Sequence, residues 1–266
     1  MQKEVIYYSS FDEDFAGNDI APKPVNADFP YEHNNIFWRI AAKLFLSVIA
    51  YPAVFLVCKM GYGLKFENRR AVKKVNGACC FYMNHTHNLD CFVPYLAVWP
   101  KRNSIITGPE AVSIRGVRNL VLMLGAIPIP SELAAYKGFY GALDKRIKKG
   151  HCVSIFPEAH IWRGCTFIRR FSSVSFRYPV SNGIPAMAAV LTRRKRKGLF
   201  SFIKSPAWTV TVSEPFYPDK ELPRKAAEQD LCDRVYQWMK ATAESHENVE
   251  TVKYIRVEKS EETAHK

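Results

Sequence analysis

Six short apolar runs, each closed by Gly, Pro or a polar cluster, recur along this chain and constrain its fold more than any other feature. They lie near 77–83, 103–107, 124–129, 152–156, 185–191 and 207–213. Runs of that length bounded by turn residues read as strands. Helix-like stretches lie near 88–98, 109–122 and 133–149. The last of these opens at Ser131-Glu132 and closes at Gly150, with Lys145, Arg146, Lys148 and Lys149 where the helix dipole favours cations. Leu222 to Glu244 reads as a further amphipathic helix, with Leu231, Val235, Trp238 and Met239 on one stripe. Strand–helix alternation leads to an α/β domain whose sheet is mixed or mostly parallel and flanked by helices. A chain of 266 residues holds one such domain with a full core, plus N-terminal elements.

The N-terminal part is of another kind. Residues 1–35 carry seven acids and two bases, a charge of −5, so the remainder of a chain at +13 carries +18. They read as an extended acidic arm on a basic body. Leu44 to Cys58 is fifteen residues without a charge, flanked by Arg39, Lys43 and Lys59. As one helix it reaches about 22 Å, short of the roughly 30 Å hydrocarbon core of a bilayer, and Pro52 would kink it. The favoured reading of 36–65 is a bent helical pair entering one leaflet, with Phe37, Trp38 and Tyr51 near the interface. A single span and a buried core helix stay open. The resulting organisation is an arm at 1–35, a membrane-associated helical segment at 36–66, an α/β domain at 67–250 and a polar, fraying tail at 251–266.

A body so basic calls for an anionic partner. The densest run, Arg193-Arg194-Lys195-Arg196-Lys197, continues past Phe200, Phe202 and Ile203 to Lys204 and suits an anionic membrane surface rather than nucleic acid. A solvated loop is the alternative. The seven cysteines are scattered, with no Cys-x-x-Cys pair, which argues for a reducing compartment and against a disulfide framework or a metal site.

Chemistry concentrates in Asn84-His85-Thr86-His87-Asn88-Leu89-Asp90, directly after the apolar run at 77–83. Open α/β sheets place reactive groups at such strand ends. A neutral imidazole takes a proton from a hydroxyl near pH 7, and a carboxylate on its other nitrogen fixes tautomer and orientation. Five residues along one helix turn the chain by about 500°, so His85 and Asp90 would face apart. They meet only if His85 lies in the loop and Asp90 in the first turn of the helix, with Asn88 as the expected N-cap. A second polar turn follows the run ending at Phe156, in Pro157-Glu158-Ala159-His160. Between the two lies Leu124-Gly125-Ala126-Ile127-Pro128-Ile129-Pro130, and beyond them Asn182-Gly183-Ile184-Pro185 to Thr192.

Those four blocks, in this order and at this spacing, resemble the PlsC-type glycerolipid acyltransferases, the 1-acyl-sn-glycerol-3-phosphate acyltransferase family, over roughly residues 75–215. His85 and Asp90 match the family's His-x4-Asp catalytic block. Gly125 to Pro130 stand at its second block, Phe156-Pro157-Glu158 match its Phe-Pro-Glu-Gly block, and Ile184-Pro185 to Val190 match its fourth. Two departures bear on the acceptor. The arginine that usually closes the second block is replaced by Pro130, Ser131 and Glu132. The third block reads Glu158-Ala159-His160-Ile161-Trp162-Arg163, where Ala159 for Gly calls for a turn without positive φ and Arg163 stands in a shifted position for phosphate.

The resemblance implies a PlsC-like fold and transfer of a fatty acyl group from acyl-CoA or acyl carrier protein to a lysophospholipid hydroxyl, with 1-acylglycerol-3-phosphate giving phosphatidic acid. A thioester is already activated, so the expected chemistry needs neither metal nor cofactor. His85 is the expected base and Asp90 its orienter. Glu158 is expected to position the acceptor or to hydrogen-bond across to the His85 loop, and Asn84, Pro157 and Arg163 complete the expected substrate-binding set. The protein is expected at the cytoplasmic face of the cell membrane. Alternatives remain: a lipid acceptor without the glycerol phosphate, a non-catalytic basic membrane-binding protein, and a cysteine hydrolase using Cys91 or Cys152. His87 is an alternative base, His160 an alternative orienter of Glu158, and Arg169, Arg170 and Arg177 are further phosphate candidates.

Overall fold

The structure, a computed structural model, describes residues 4–15, 20–32 and 35–257. Nine strands occur among them: β1 (Glu4–Tyr8), β2 (Lys65–Glu67), β3 (Cys79–Met83), β4 (Asn103–Thr107), β5 (Ala126–Pro128), β6 (Cys152–Ile155), β7 (Ala186–Arg194), β8 (Ala207–Val212) and β9 (Val252–Arg256). Seven form the main sheet in the order β2-β8-β7-β3-β6-β4-β5. Only the β7–β8 pair is antiparallel. All six apolar runs are strands, and the sheet is mixed and mostly parallel as expected.

Central β3 explains why its run is apolar without alternation: both of its faces are covered. Successive side chains point to opposite faces. Cys79, Phe81 and Met83 enter a layer with Val93, Leu96 and Val98. Cys80 and Tyr82 enter the other layer, with Phe139, Leu143, Leu231, Val235 and Met239 from the helices Tyr136–Lys148 and Arg224–Ser245. Because β3 lies parallel to β6, with Tyr82 opposite Ile155, the segments following both strands emerge side by side at one sheet edge. The stretch expected as one helix at 109–122 is instead a 3₁₀ turn at Pro109–Val112 and a helix at Arg118–Met123, with Gly116 between them at φ +83°.

The bent helical pair expected before the sheet is one continuous helix, Ile36–Gly61, 26 residues and about 39 Å long. Phe45–Ala50 is wound as π-helix just ahead of the α-helical turn Tyr51–Leu56, which carries Pro52 near its start. The wider winding loosens the ladder around Val48, whose carbonyl the proline ring would otherwise strike, so the helix continues. Tyr51, Val54 and Cys58 pack on the domain core, and the Tyr51 ring lies 4.3 Å from that of Trp99. Phe37, Ile40, Leu44, Val48, Phe55 and Met60 stay exposed.

The arm and the tail meet. β1 and β9 form a separate two-stranded parallel sheet. Val252–Arg256, within the stretch read as a fraying tail, is therefore a strand, because its unpaired edge is taken up by the arm; residues 258–266 lie outside the described residues. Tyr8, Phe11, Phe15 and Tyr254 enclose Trp162, whose indole N–H donates to the Glu13 carbonyl at 2.7 Å.

Candidate active site

Beyond β3 the chain turns through residues 84–90 around one buried carboxylate. Asp90 Oδ2 accepts the backbone N–H groups of Thr86 at 2.7 Å and His87 at 2.9 Å. Its Oδ1 lies 2.7 Å from His85 Nδ1. The carboxylate folds the loop back so that the imidazole five positions upstream comes to rest against it. Asp90 is fully buried and opens the 3₁₀ turn Asp90–Phe92. Asn88 does not cap that turn: Leu89 occupies the N-cap position without a side-chain bond, since the Asp90 carboxylate already satisfies the loop's N–H groups. A carboxylate only accepts, so a hydrogen bond between an Asp90 carboxylate and His85 requires the imidazole proton on Nδ1 and leaves Nε2 without it. The His85 side chain is 13% exposed, and its ring stacks on Phe156 with centroids 4.2 Å apart.

Several groups clamp this loop. The Asn84 amide donates to Leu191 O at 3.1 Å and accepts from Leu191 N at 2.8 Å, tying the end of β3 to β7. At 3% exposed and bonded through both amide atoms, Asn84 acts in this structure as a strut. Glu158 Oε2 accepts the His85 N–H at 3.1 Å and Arg169 Nη2 at 3.1 Å; its Oε1 accepts the Arg169 N–H at 2.9 Å. Of the two roles expected for Glu158, the bond across to the His85 loop is the one that forms. The Trp162 N–H donates to His85 O at 3.2 Å and the Gly164 N–H to Thr86 O at 3.1 Å. Gly164 sits at φ +76°, and a Cβ there would meet Thr251 Oγ1 at 2.8 Å and Val252 Cγ2 at 3.0 Å of the β9 segment. Arg193 donates from Nη2 to Thr86 O at 2.9 Å and Thr86 Oγ1 at 3.1 Å. Burial disfavours its charge and pulls its pKa down, with the Asp90 carboxylate opposing.

Several sequence expectations change here. Arg169 is not a phosphate contact: it is buried, paired with Glu158 and stacked over Trp162 at 4.7 Å. Arg170 pairs with Asp233 at 3.7 Å and Arg177 bonds Tyr140 at 2.7 Å, so both are engaged away from the loop. Arg163 is exposed, and its charge is among those that lower the His87 pKa. Pro157 is half-buried in the turn between Phe156 and Glu158. Ala159 adopts φ +63°, contrary to the turn expected for it, held by bonds from its N–H to Phe156 O and from the His160 N–H to Glu158 O. The His160 side chain points to Asp14 at 3.9 Å, not to the Glu158 carboxylate.

His87 meets the stacked pair of Tyr62 and Trp208 edge-on, and its Nδ1 accepts the Leu89 N–H at 3.0 Å. Burial lowers its pKa, and Arg193 and Arg163 lower it further against the pull of Asp90. Burial raises the Cys91 thiol, the opposite of an activated nucleophile, and Cys152 lies buried 3.2 Å from the Cys79 sulfur. The basic run divides: Arg193 and Arg194 end β7 and bond inward, Arg194 to Gly63 O at 2.7 Å, whereas Leu199, Phe200 and Phe202 are exposed. Where the family's second block has an arginine, Ser131 Oγ accepts the Val25 N–H at 3.0 Å and Glu132 Oε1 accepts the Ala27 N–H at 2.9 Å, so this site tethers the arm. Among the described residues no group of three His, Cys, Asp or Glu side chains is placed to hold a metal.

Trp162 and Arg193 were not legible as site residues, and Arg169 was legible only in the wrong role, as a phosphate contact. Arg193 looked like part of a surface run, and nothing in the spacing links Trp162 to His85.

A family model described as Acyltransferase matches residues 63–210, more than half of the chain. No curated protein matches it. Among solved structures the chain is similar to the 1-acyl-sn-glycerophosphate (LPA) acyltransferase PlsC from Thermotoga maritima, with a TM-score of 0.50 and 17% identity, covering 80% of this chain and 89% of that one. At that identity the likeness speaks for the fold, which is PlsC-like.

Proposed function

Because the chain belongs to the acyltransferase family, we propose that it moves a fatty acyl group from acyl-CoA or acyl carrier protein to the free hydroxyl of 1-acylglycerol-3-phosphate, forming phosphatidic acid. The observation that carries this reading is the 2.7 Å contact between His85 Nδ1 and the buried Asp90 carboxylate. Asp90 holds the proton on Nδ1 and stabilises the imidazolium that forms when Nε2 takes the acceptor hydroxyl proton. The hydroxyl oxygen attacks the thioester carbonyl; collapse of the tetrahedral intermediate breaks the C–S bond, and the proton on Nε2 passes to the departing thiolate. Base catalysis of this kind is worth about 10²–10⁴-fold. Glu158, Arg169 and Arg193 position the loop, and exposed Arg163 takes the acceptor phosphate through its guanidinium fork.

The chain's organisation fits a membrane-bound enzyme in which 67–250 is the catalytic domain. Both ends of the long helix are tied to that domain. Before it, the Glu32 carboxylate pairs with Lys145 at 3.0 Å and Arg146 at 3.3 Å; at its end, Gly61 O accepts from Arg196 at 2.6 Å. A helix held to one domain through its C-terminal half and at both ends lies in one leaflet, its exposed apolar residues in the acyl region, rather than crossing to the far side. Seven free thiols support the cytoplasmic face, where thioester donors are made.

The test is acyl transfer by His85→Ala protein that remains folded and membrane-bound: turnover should vanish, and retained turnover would reject the base assignment. A second acceptor class is favoured by one observation, the use of Ser131 and Glu132 to tether the arm where the family usually has an arginine. Mass spectrometry of products from lysophosphatidate mixed with non-phosphorylated acceptors decides between the two.

A further inference from the structure

We propose that the groove at the C-terminal end of the long apolar helix binds the phosphate headgroup of an anionic bilayer phospholipid, separately from the His85–Asp90 centre. This rests on the reading that the helix lies in one leaflet. The groove, of about 550 Å³, is lined by Phe55 and Lys59 of the helix, by Phe66, Arg69 and Arg70 around β2, and by Leu96. None of these residues belongs to the loop that holds His85.

Three features point to a lipid phosphate. The first is unneutralised charge held in place. Arg69 Nε donates to Ala97 O at 3.1 Å and Nη2 to Trp99 O at 3.0 Å. Lys59 Nζ donates to Leu64 O at 3.3 Å. Carbonyl acceptors fix a cation's position without cancelling its charge, which preorganises the site for an incoming anion. Arg70 is exposed at the rim; the carboxylates nearest the groove, Glu67 and Glu214, are engaged by the lining residues Lys65 at 2.9 Å and Asn68 at 3.3 Å, with Lys74 also on Glu214, and neither pairs with Lys59, Arg69 or Arg70. Secondly, polar and apolar lining are ordered as a phospholipid requires. Phe55 and Leu96 offer apolar wall beside the cations, and a basic pocket at a membrane helix is a recognised headgroup site. The third feature is continuity. Phe55 is 50% exposed and Met60 69% exposed, so the groove opens onto the helix side assigned to the acyl region. A lipid entering from the leaflet would keep its chains along Phe55 while its phosphate reached Lys59, Arg69 and Arg70.

The experiment is calorimetric titration of the full chain with a short-chain phosphatidylglycerol below its micelle concentration, where a surface effect cannot mimic a site. Wild type should bind one lipid, and short-chain phosphatidylcholine should bind at least tenfold more weakly. The Lys59→Gln/Arg70→Gln double variant should lose affinity by about thirtyfold, from about fivefold for each basic residue near the headgroup. Lys195→Gln/Lys197→Gln removes the same charge outside the groove and should bind as wild type does. Equal loss in both double variants, no binding by wild type, or displacement by coenzyme A or inorganic phosphate at concentrations comparable to the lipid would each overturn the proposal. His85→Ala protein should bind the lipid normally. If that variant instead keeps its acyl transfer, the catalytic reading fails while the headgroup site stands.

Discussion

Asp90→Asn is the sharpest probe of the site, because the hydrogen bonds around residue 90 dictate what an amide must do there. Asp90 makes three contacts: Oδ2 with the N–H groups of Thr86 and His87 at 2.7 and 2.9 Å, and Oδ1 with His85 Nδ1 at 2.7 Å. Asparagine is nearly isosteric but has one acceptor oxygen and one NH₂ group. Two backbone donors claim the oxygen, so the NH₂ group faces His85. Nδ1 must then accept, which moves the ring proton to Nε2, the nitrogen that should take the acceptor's proton. The base is thereby lost while its position is kept. The expected cost is the whole base contribution, about 10²–10⁴ in kcat, or about 3–5 kcal/mol of barrier. The Michaelis constant for lysophosphatidate should hardly move, since neither side chain is assigned to ground-state binding. Weaker bonding to the loop should also lower folding stability by about 1–2 kcal/mol. Initial rates with labelled acyl-CoA in mixed micelles and urea unfolding of the same preparations measure both. A kcat within tenfold of wild type would refute the tautomer argument. So would a His85→Ala/Asp90→Asn double variant much slower than His85→Ala, because two groups acting as one unit are not additive.

Arg193→Met should lower kcat about tenfold with little change in acceptor Michaelis constant, and Arg193→Lys should restore part of it; a change confined to the Michaelis constant would mean that Arg193 touches substrate rather than the Thr86 backbone. Ala159→Gly should raise stability by up to about 1 kcal/mol in urea unfolding, since Ala159 sits at φ +63° where glycine meets no Cβ penalty; a loss of stability would mean that this backbone is not strained. Burial is the main cause that holds His151 down from 6.5 to about 4, with Arg102, Arg146 and Lys149 adding to it and Glu32 opposing. A histidine kept neutral by the fold takes up its proton more readily when unfolded, so stability should fall as pH drops from about 6.5 to about 4, and unfolding midpoints of His151→Gln should flatten that slope; an unchanged slope would assign the pH dependence to other groups. Alkylation of accessible thiols should leave acyl transfer intact, because burial raises the Cys91 thiol; inactivation that substrate prevents would revive a cysteine mechanism.

Six of the seven strands of the main sheet, the polar cluster at the end of β3 and the pairing of His85 with Asp90 were all legible in the sequence. Each depends on local information: a short apolar run, a turn residue, a spacing of five. Phe156-Pro157-Glu158 was legible for the same reason, as was an apolar segment seeking an apolar phase. What the sequence alone left undecided is what lies between distant segments. Arg193 reads as one cation in a basic run, yet it ends in the interior because β7 lies beside β3 and carries it under the Thr86 backbone. Glu158 had two plausible roles, and the parallel pairing of β3 with β6 chose the bond to the His85 N–H. The tail became a strand only because the arm, some 250 residues away in sequence, supplied the missing edge. Continuity of the helix through Pro52 was likewise a tertiary outcome, since π-winding that is costly in isolation persists where Tyr51, Val54 and Cys58 hold it against the domain.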